Sequence, residues 1–450
     1  MGKHINKHNS ATRSWIALGN PNAILCCAIS VALTATVGME RAHAEIDYRD
    51  TLYRDTLEKA VDPPGDIEVA AGKFFDVYAA DQESYDNNLY RLNRATDVTA
   101  LIGPNAARQD HINTVSAGLD GQWTPGRQVI TLDLRADDNR YAQNNNLNYV
   151  SSSDRLVWNW SVGSVLSGQA GADFTRSNAG FVNTNVYSRN LVNQAEYFGG
   201  ARYQIGPRWA IFGGIMEADT SLSALASKAN DSNRKSVEGG VEYATSVQNS
   251  FGFEYRYTDG RYPNTPIVNG APGYPNYKED RGRFFIKYGI SDKTQLNASA
   301  GYLKRDYPSH SIGAFSGDIW RASIQWQPRD KTQIVVGGWR ELHAYLTADS
   351  DYYVSNGFSA SPVWLVSEKI NISILLSSEK QNYVSSIGTF AAGPRQDKVV
   401  AEQAGLTYAA AKFLTVNLSV RHEQRDSNAA NEPNFTYNDT LASLGITGKF

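Results

Sequence analysis

Cysteine is nearly missing from this chain: among 450 residues there are two, Cys26 and Cys27, both within the first 44. Everything downstream is free of thiols, which excludes disulfides, zinc–thiolate sites and cysteine nucleophiles. No stretch beyond that N-terminal segment is apolar enough for a membrane-spanning helix, no block of like charge stands out, and the mean hydropathy is -0.43 with 20% charged residues. Such totals resemble those of a soluble protein. They are also what alternating strands give when one face is apolar and the other polar, because the signal then lies in residue order and not in composition. What the chain does have is aromatic and glycine content: 25 Tyr, 16 Phe, 9 Trp and 37 Gly against 15 Pro and 3 Met. That bias suits interfacial aromatic girdles and tight turns.

Residues 1–44 read as a cleaved signal peptide. Lys3, Lys7 and Arg13 form a basic start, residues 23–38 an apolar core, and Ala42-His43-Ala44 a small-residue cleavage site before Glu45. Cys26 follows the bulky pair Ile24-Leu25 where a lipoprotein signal needs small residues, so no lipid anchor is expected. Removing this segment takes away four basic and one acidic residue and moves the formal charge from -3 to -6, which argues against nucleic acid as a partner. Residues 45–72 are acidic, place Leu52, Leu57 and Val61 on roughly one helical face, and end at Pro63-Pro64-Gly65. They read as a periplasmic leader, with a disordered tail or a plug in a lumen as the alternatives.

From Lys73 onward the period is two. Phe251, Phe253, Tyr255 and Tyr257 interleave with Gly252, Glu254, Arg256 and Thr258. Ile370, Ile372, Ile374 and Leu376 interleave with Asn371, Ser373, Leu375 and Ser377, and the stretch Leu414, Val416, Leu418, Val420 does the same. In a helix these residues would scatter polar groups over every face; in a strand they separate cleanly. Tight turns near residues 124–127, 164–168, 206–208, 247–249, 291–293, 328–330, 368–369 and 411–412 alternate with longer polar loops. The loops lie near residues 87–109, 141–148, 177–187, 220–234, 260–278, 305–312, 346–352, 383–396 and 426–437. Eight turns and nine loops join eighteen strands. The predicted fold is therefore all-β: a closed antiparallel transmembrane β-barrel of about 18 strands (16 to 18) over residues 73–450, with short periplasmic turns and long extracellular loops. Trp158, Trp160, Trp320, Trp326, Tyr255 and Tyr257 fall on the outward parity, where a soluble sandwich has no use for them. Hydrocarbon offers no hydrogen-bond partners, so closure is obligatory. The chain ends on an alternating strand with Phe450, which resembles the C-terminal signal read by the barrel-insertion machinery of the Gram-negative outer membrane. Lipid and lipopolysaccharide are the expected surroundings.

No catalytic residue is expected. Past the signal segment the histidines are His111, His310, His343 and His422, and none sits beside a nucleophile motif. Asp81, Glu83 and Asp86, or Asp349 and Asp351, offer oxygens without the spacing, glycine turn and closing glutamate of a calcium loop, so neither metal nor cofactor is expected. The polar parity is more informative. It turns Asp133, Arg135, Glu254, Arg256, Arg283, Lys287, Arg321, Arg421, Glu423 and Arg425 into the lumen as candidate lining of a solute path, along with Glu196, Arg202, Glu242 and Glu379. Both signs are present, which reads as a roughly balanced wall suited to neutral or weakly charged solutes, or simply as charges pairing across strands.

The segment Val77-Tyr78-Ala79-Ala80-Asp81-Gln82-Glu83-Ser84-Tyr85-Asp86-Asn87-Asn88-Leu89-Tyr90-Arg91-Leu92, and its core from Tyr85 to Leu92 above all, resembles the EpsL-like exopolysaccharide outer-membrane proteins, related to the β-barrel porin type 2 group. The resemblance implies a conduit for export of an exopolysaccharide, working with periplasmic polysaccharide-export components; the longer leader at 45–72 departs from the family plan. The alternative is a general or solute-specific uptake porin, or a surface structural barrel.

Overall fold

A computed structural model describes residues 73–450, except 183–185, 247–248, 266, 269–270, 273–275, 309–313, 348–349, 385–393, 430–432 and 434. The signal segment, 1–44, and the leader, 45–72, lie outside the described residues. Eighteen strands form one sheet: β1 Lys73–Asp86, β2 Asp110–Trp123, β3 Val129–Tyr141, β4 Tyr149–Val162, β5 Leu166–Asn178, β6 Leu191–Ile205, β7 Trp209–Leu222, β8 Ser232–Ser246 and β9 Asn249–Arg261. The series continues with β10 Tyr277–Ser291, β11 Thr294–Asp306, β12 Phe315–Arg329, β13 Thr332–Thr347, β14 Ser350–Leu365, β15 Ile370–Val384, β16 Gln396–Ala411, β17 Leu414–Ser427 and β18 Tyr437–Lys449. A two-residue hairpin, Ile267–Val268 with Ala271–Pro272, sits in the loop after β9.

Each strand pairs antiparallel with its neighbours in sequence, and the ring closes where β1 pairs with β18 from Tyr78↔Lys449 to Asp86↔Leu441. Beyond the last strand residue, Phe450 N–H donates to Val77 O at 2.8 Å, adding a final rung. Closure satisfies the amides that an open edge would leave bare in hydrocarbon. Turns of two to five residues alternate with longer loops, as the polar spacing predicts. One loop differs. Residues 346–352 read as a long loop, yet β13 continues to Thr347 and β14 restarts at Ser350, with Thr347 opposite Ser350. Hydrogen bonding beyond the membrane carries this hairpin through a polar run that composition alone marks as coil.

The two faces separate as the alternation predicts. Phe253, Tyr255, Trp158, Trp320, Ile374, Leu376, Leu418 and Leu444 are exposed on the outside. Beside the short turns Trp123, Trp160, Trp209, Trp326 and Trp364 form a periplasmic aromatic belt, the place where amphipathic rings sit at the lipid headgroups. Toward the other end the outer face turns ionic. Across β7 to β11 one register row runs Glu217, Lys235, Asp259, Lys278, Asp306, with opposite charges adjacent at every step. Lys235 Nζ lies 2.8 Å from Glu217 Oε1. Charges of this density mark the end of the hydrocarbon zone, because a lipid-facing Lys at the membrane midplane costs about 2–4 kcal/mol.

Candidate functional site in the lumen

All ten residues predicted to face the lumen lie on the inward side of their strands, together with Glu196, Arg202, Glu242 and Glu379. The structure does not keep them apart as a neutral wall. Arg421 binds Glu423, whose carboxylate also accepts from Tyr437 Oη at 2.6 Å. Arg425 reaches Asp397 through Nε at 2.8 Å and the Tyr383 hydroxyl at 2.7 Å. Arg135 Nε donates to Asp137 at 2.6 Å, and Arg321 Nε to Glu341 at 2.8 Å. Glu254 accepts from Arg281 and Arg283, each at 2.8 Å, while Arg256 pairs with Glu238. Such pairs are packed and fix the rotamers of long side chains, so the wall presents charge in defined places.

Their distribution corrects the expectation of a balanced wall. Inward faces of β1 to β5 carry Asp76, Asp86, Asp110, Asp120, Asp133, Asp137 and Asp173 against Arg135 and Arg155. Inward faces of β8 to β12 carry Arg234, Arg256, Arg281, Arg283, Lys287, Arg305 and Arg321 against Glu238, Glu242, Glu254 and Glu279. The register sharpens the acidic arc: Asp76 faces Asp120, Asp120 faces Asp133, and Asp133 faces Arg155, which faces Asp173. Like charges directly opposite repel; Lys449 Nζ relieves the row at one end, 2.9 Å from Asp76 and 3.4 Å from Asp120. Acidic and basic arcs thus occupy different parts of the ring, which sets a field across the bore. Asp76, Asp120, Asp173, Arg155 and Arg281 were missed in the sequence, although the parity of outward Phe75, Val77 and Trp158 could have placed their neighbours inward.

A recess of about 150 Å³ opens in the basic arc. Phe212 and Phe285 contribute rings, Arg202, Arg283, Lys287 and Arg321 contribute cations, and Glu242 and Glu254 contribute carboxylates. It exists because Gly240 and Gly252 stand opposite Phe212 and Phe285. Each ring lies across its glycine, and a Cβ on Gly252 would fall 2.5 Å from Phe285 Cζ.

The extracellular mouth is narrowed by residues 87–109. Leu89, Tyr90, Leu92 and Val98 are buried against the inward-facing Ile112 and Tyr141 and against Leu147 and Phe181, so this loop folds into the opening. The Tyr85 to Leu92 segment builds the fold-in. Arg91 Nη1 lies 2.9 Å from Asp86 Oδ2 and 3.0 Å from Asp439 Oδ1, with its backbone in the left-handed region at φ 53°. Asn88 Nδ2 donates to Leu92 O and Asn438 O, both at 2.9 Å. Asn87 N–H donates to Thr440 O and its Oδ1 accepts from Thr440 N–H. Tyr90 Oη donates to Asn144 Oδ1 at 2.9 Å; burial first, then the Asp110 carboxylate, push this phenol up to about 12.

Asp81 and Glu83 face outward and share Asn113, whereas Asp86 faces inward, so these three cannot converge on a cation. Among the described residues no group of three His, Asp or Glu could hold a metal ion. Asp349 and His310 lie outside the described residues. His343 faces inward and stacks on Tyr353 at 4.7 Å, with Nε2 3.0 Å from Ser355 Oγ. That hydroxyl also accepts from Trp339 Nε1, which opposes its activation as a nucleophile.

The apolar outer band, the aromatic belt and the closed polar bore decide the class. The chain is a closed β-barrel of the outer-membrane kind. A family model described as "Putative beta-barrel porin 2" matches residues 284–450, from the middle of β10 to the end. No curated protein matches the chain. Among solved structures the barrel is similar to the outer membrane protein OpdK from Pseudomonas aeruginosa, at 11% identity and a TM-score of 0.45, covering 84% of this chain and 98% of that one. OccAB2 of Acinetobacter baumannii gives 9% identity and a TM-score of 0.47, with 84% and 98% covered. A BenF-like porin from Pseudomonas fluorescens Pf-5 gives 10% and 0.46, with 84% and 99% covered. At these identities the likeness concerns the barrel fold alone.

Proposed function

We propose that this barrel is a passive porin-type channel through which small hydrophilic solutes cross the outer membrane. The single observation that carries the reading is the sorting of lumen charge into an acidic arc and a basic arc. A wall so arranged orients small polar or charged molecules, while a neutral polymer gains nothing from it. The inward fold of residues 87–109 supports the same scale of cargo, because it takes space from the mouth. Exopolysaccharide export keeps one support, the resemblance at Tyr85 to Leu92. In this barrel those residues tie the first loop to the closing seam, a role that needs no polymer.

The test is reconstitution of the mature chain in planar bilayers and liposomes. Stable conductance in KCl and permeation by monosaccharides and small organic ions, with exclusion of long oligosaccharides, is the expected outcome. Free passage of a long sugar polymer, together with loss of polymer secretion in a deletion strain, would restore the export reading.

A further inference from the structure

The outer face carries a second charged row that breaks the rule of the first. From β7 to β11 the signs alternate, so Lys235 and Lys278 each face a carboxylate on both sides. On β13 to β17 the outward register runs Arg340, Asn356, Lys380, Lys398, Asp426. Lys380 stands directly opposite Lys398, and both are exposed. Like charges in this position repel and weaken the strand pair.

The protein's own neighbours do not offset that repulsion. Arg340 lies 3.3 Å from Asp318 and donates through Nη1 to Asn356 Oδ1 at 2.9 Å, so the amide beside Lys380 is already taken by a cation. Asp426 faces Lys398 but accepts from Gln424 Nε2 at 2.9 Å. Among the described residues neither lysine ammonium has an ion-pair or hydrogen-bond partner.

The height of the pair indicates what it meets. Lys380 is ten residues above the start of β15 at Ile370, as Asp259 on the first row is above the start of β9 at Asn249. A tilted strand crosses the apolar zone in about 9–11 residues, so both rows stand where hydrocarbon gives way to headgroups. Below the lysines the outward pairs are Ser378 with Val400, Leu376 with Glu402, and Ile374 with Ala404. Leu376 and Ile374 are exposed to lipid, while Glu402 faces His422 on β17. Above the lysines Asn382 faces Gln396. Going outward, the patch offers apolar contact, then two cations, then two amides.

We propose that Lys380 and Lys398 form a docking patch for lipopolysaccharide of the outer leaflet. One phosphate of the lipid lies between the two ammonium groups, acyl chains lie against Leu376 and Ile374, and sugar hydroxyls meet Asn382 and Gln396. A phosphate accepts from both lysines through charge-assisted hydrogen bonds and turns a repulsive pair into a bridged one. Lysine meets phosphate as a point charge on a flexible stem, so the site needs no fixed fork. The inference goes beyond the channel reading and requires only residence in the outer membrane.

The test is lipid binding to the whole mature barrel in nonionic detergent, read by native mass spectrometry. The probes are bisphosphorylated lipid A, the same lipid with its phosphates removed, and inorganic phosphate. The wild-type barrel is expected to bind the bisphosphorylated lipid about tenfold more tightly than the dephosphorylated one. Lys380→Gln with Lys398→Gln should remove that preference. Lys235→Gln with Lys278→Gln deletes the same charge from the alternating row and should leave the preference within about twofold. Equal binding of the two lipids by the wild-type barrel, or equal losses in the two double variants, would overturn the patch. Displacement of the lipid by inorganic phosphate at equal concentration would mark a site for a free anion and would overturn lipopolysaccharide as its occupant. If the first double variant does not fold, the wild-type comparison of the two lipids and the single variant Lys398→Gln, expected to weaken binding about threefold, decide the matter.

Discussion

Arg91 joins two carboxylates, Asp86 and Asp439, that lie on the first and last strands of the ring, and all three side chains are almost fully buried. Removing the guanidinium leaves two acids close together with little solvent. Arg91→Ala is therefore expected to destabilise the barrel by about 3–5 kcal/mol, read as an earlier midpoint in urea unfolding from liposomes. Tyr90, its neighbour, gives a pH signature. Its folded phenol ionises near 12 against 10 in the open chain, so the neutral form favours the folded loop. That contribution is fully present below about pH 10 and is lost as pH rises through about 12. Protease cleavage within residues 87–109 should rise across this window, and Tyr90→Phe should remove the step. The sequence shows the Asp-Asn-Asn cluster as turn chemistry. It gives no sign that the turn points into the bore, because that direction depends on Asn438, Asp439 and Thr440, some 350 residues away.

Strands were the most readable elements. Alternation at Phe251 to Tyr257 and at Leu414 to Val420 fixes which side chains meet lipid, and a one-residue slip would invert the whole face. Turn positions were read to within a few residues, since short polar breaks interrupt an otherwise regular period. The hairpin joining β13 and β14 was not, because Thr347 and Ser350 pair through backbone groups that any side chain permits. Glycines inside strands have a function that periodicity hides. Gly252 faces inward directly beneath Phe285, with the Val241 carbonyl close on the other side. Gly252→Ala is expected to cost about 1–3 kcal/mol through overpacking, measurable as a lower unfolding midpoint. Because the Val241 carbonyl and the Phe285 ring must both give way to admit the methyl group, a second effect is expected: the recess changes shape and single-channel conductance changes with it.

At the scale of the whole ring, the decisive property is one that no single strand contains. Asp120, Asp133 and Arg321 are each unremarkable in sequence, and only the closed register sets the first two side by side and the third in another arc. This is why the parity of the lining was legible and its polarity was not. Two arcs of opposite sign pull an anion and a cation along different sides of one bore, and the net selectivity reflects the difference between them. Weakening either arc should therefore move the balance in a defined direction. In a KCl gradient, Asp120→Asn with Asp133→Asn is expected to shift the reversal potential toward that of chloride, and Arg321→Gln with Lys287→Gln toward that of potassium. Raising the salt to about 1 M shortens the screening length to about 3 Å, so both shifts should shrink together if the arcs act through the solution in the bore. Shifts of the same sign for both pairs, or shifts that persist at high salt, would mean that the substitutions act by reshaping the lumen and that the sorted charge does not steer ions.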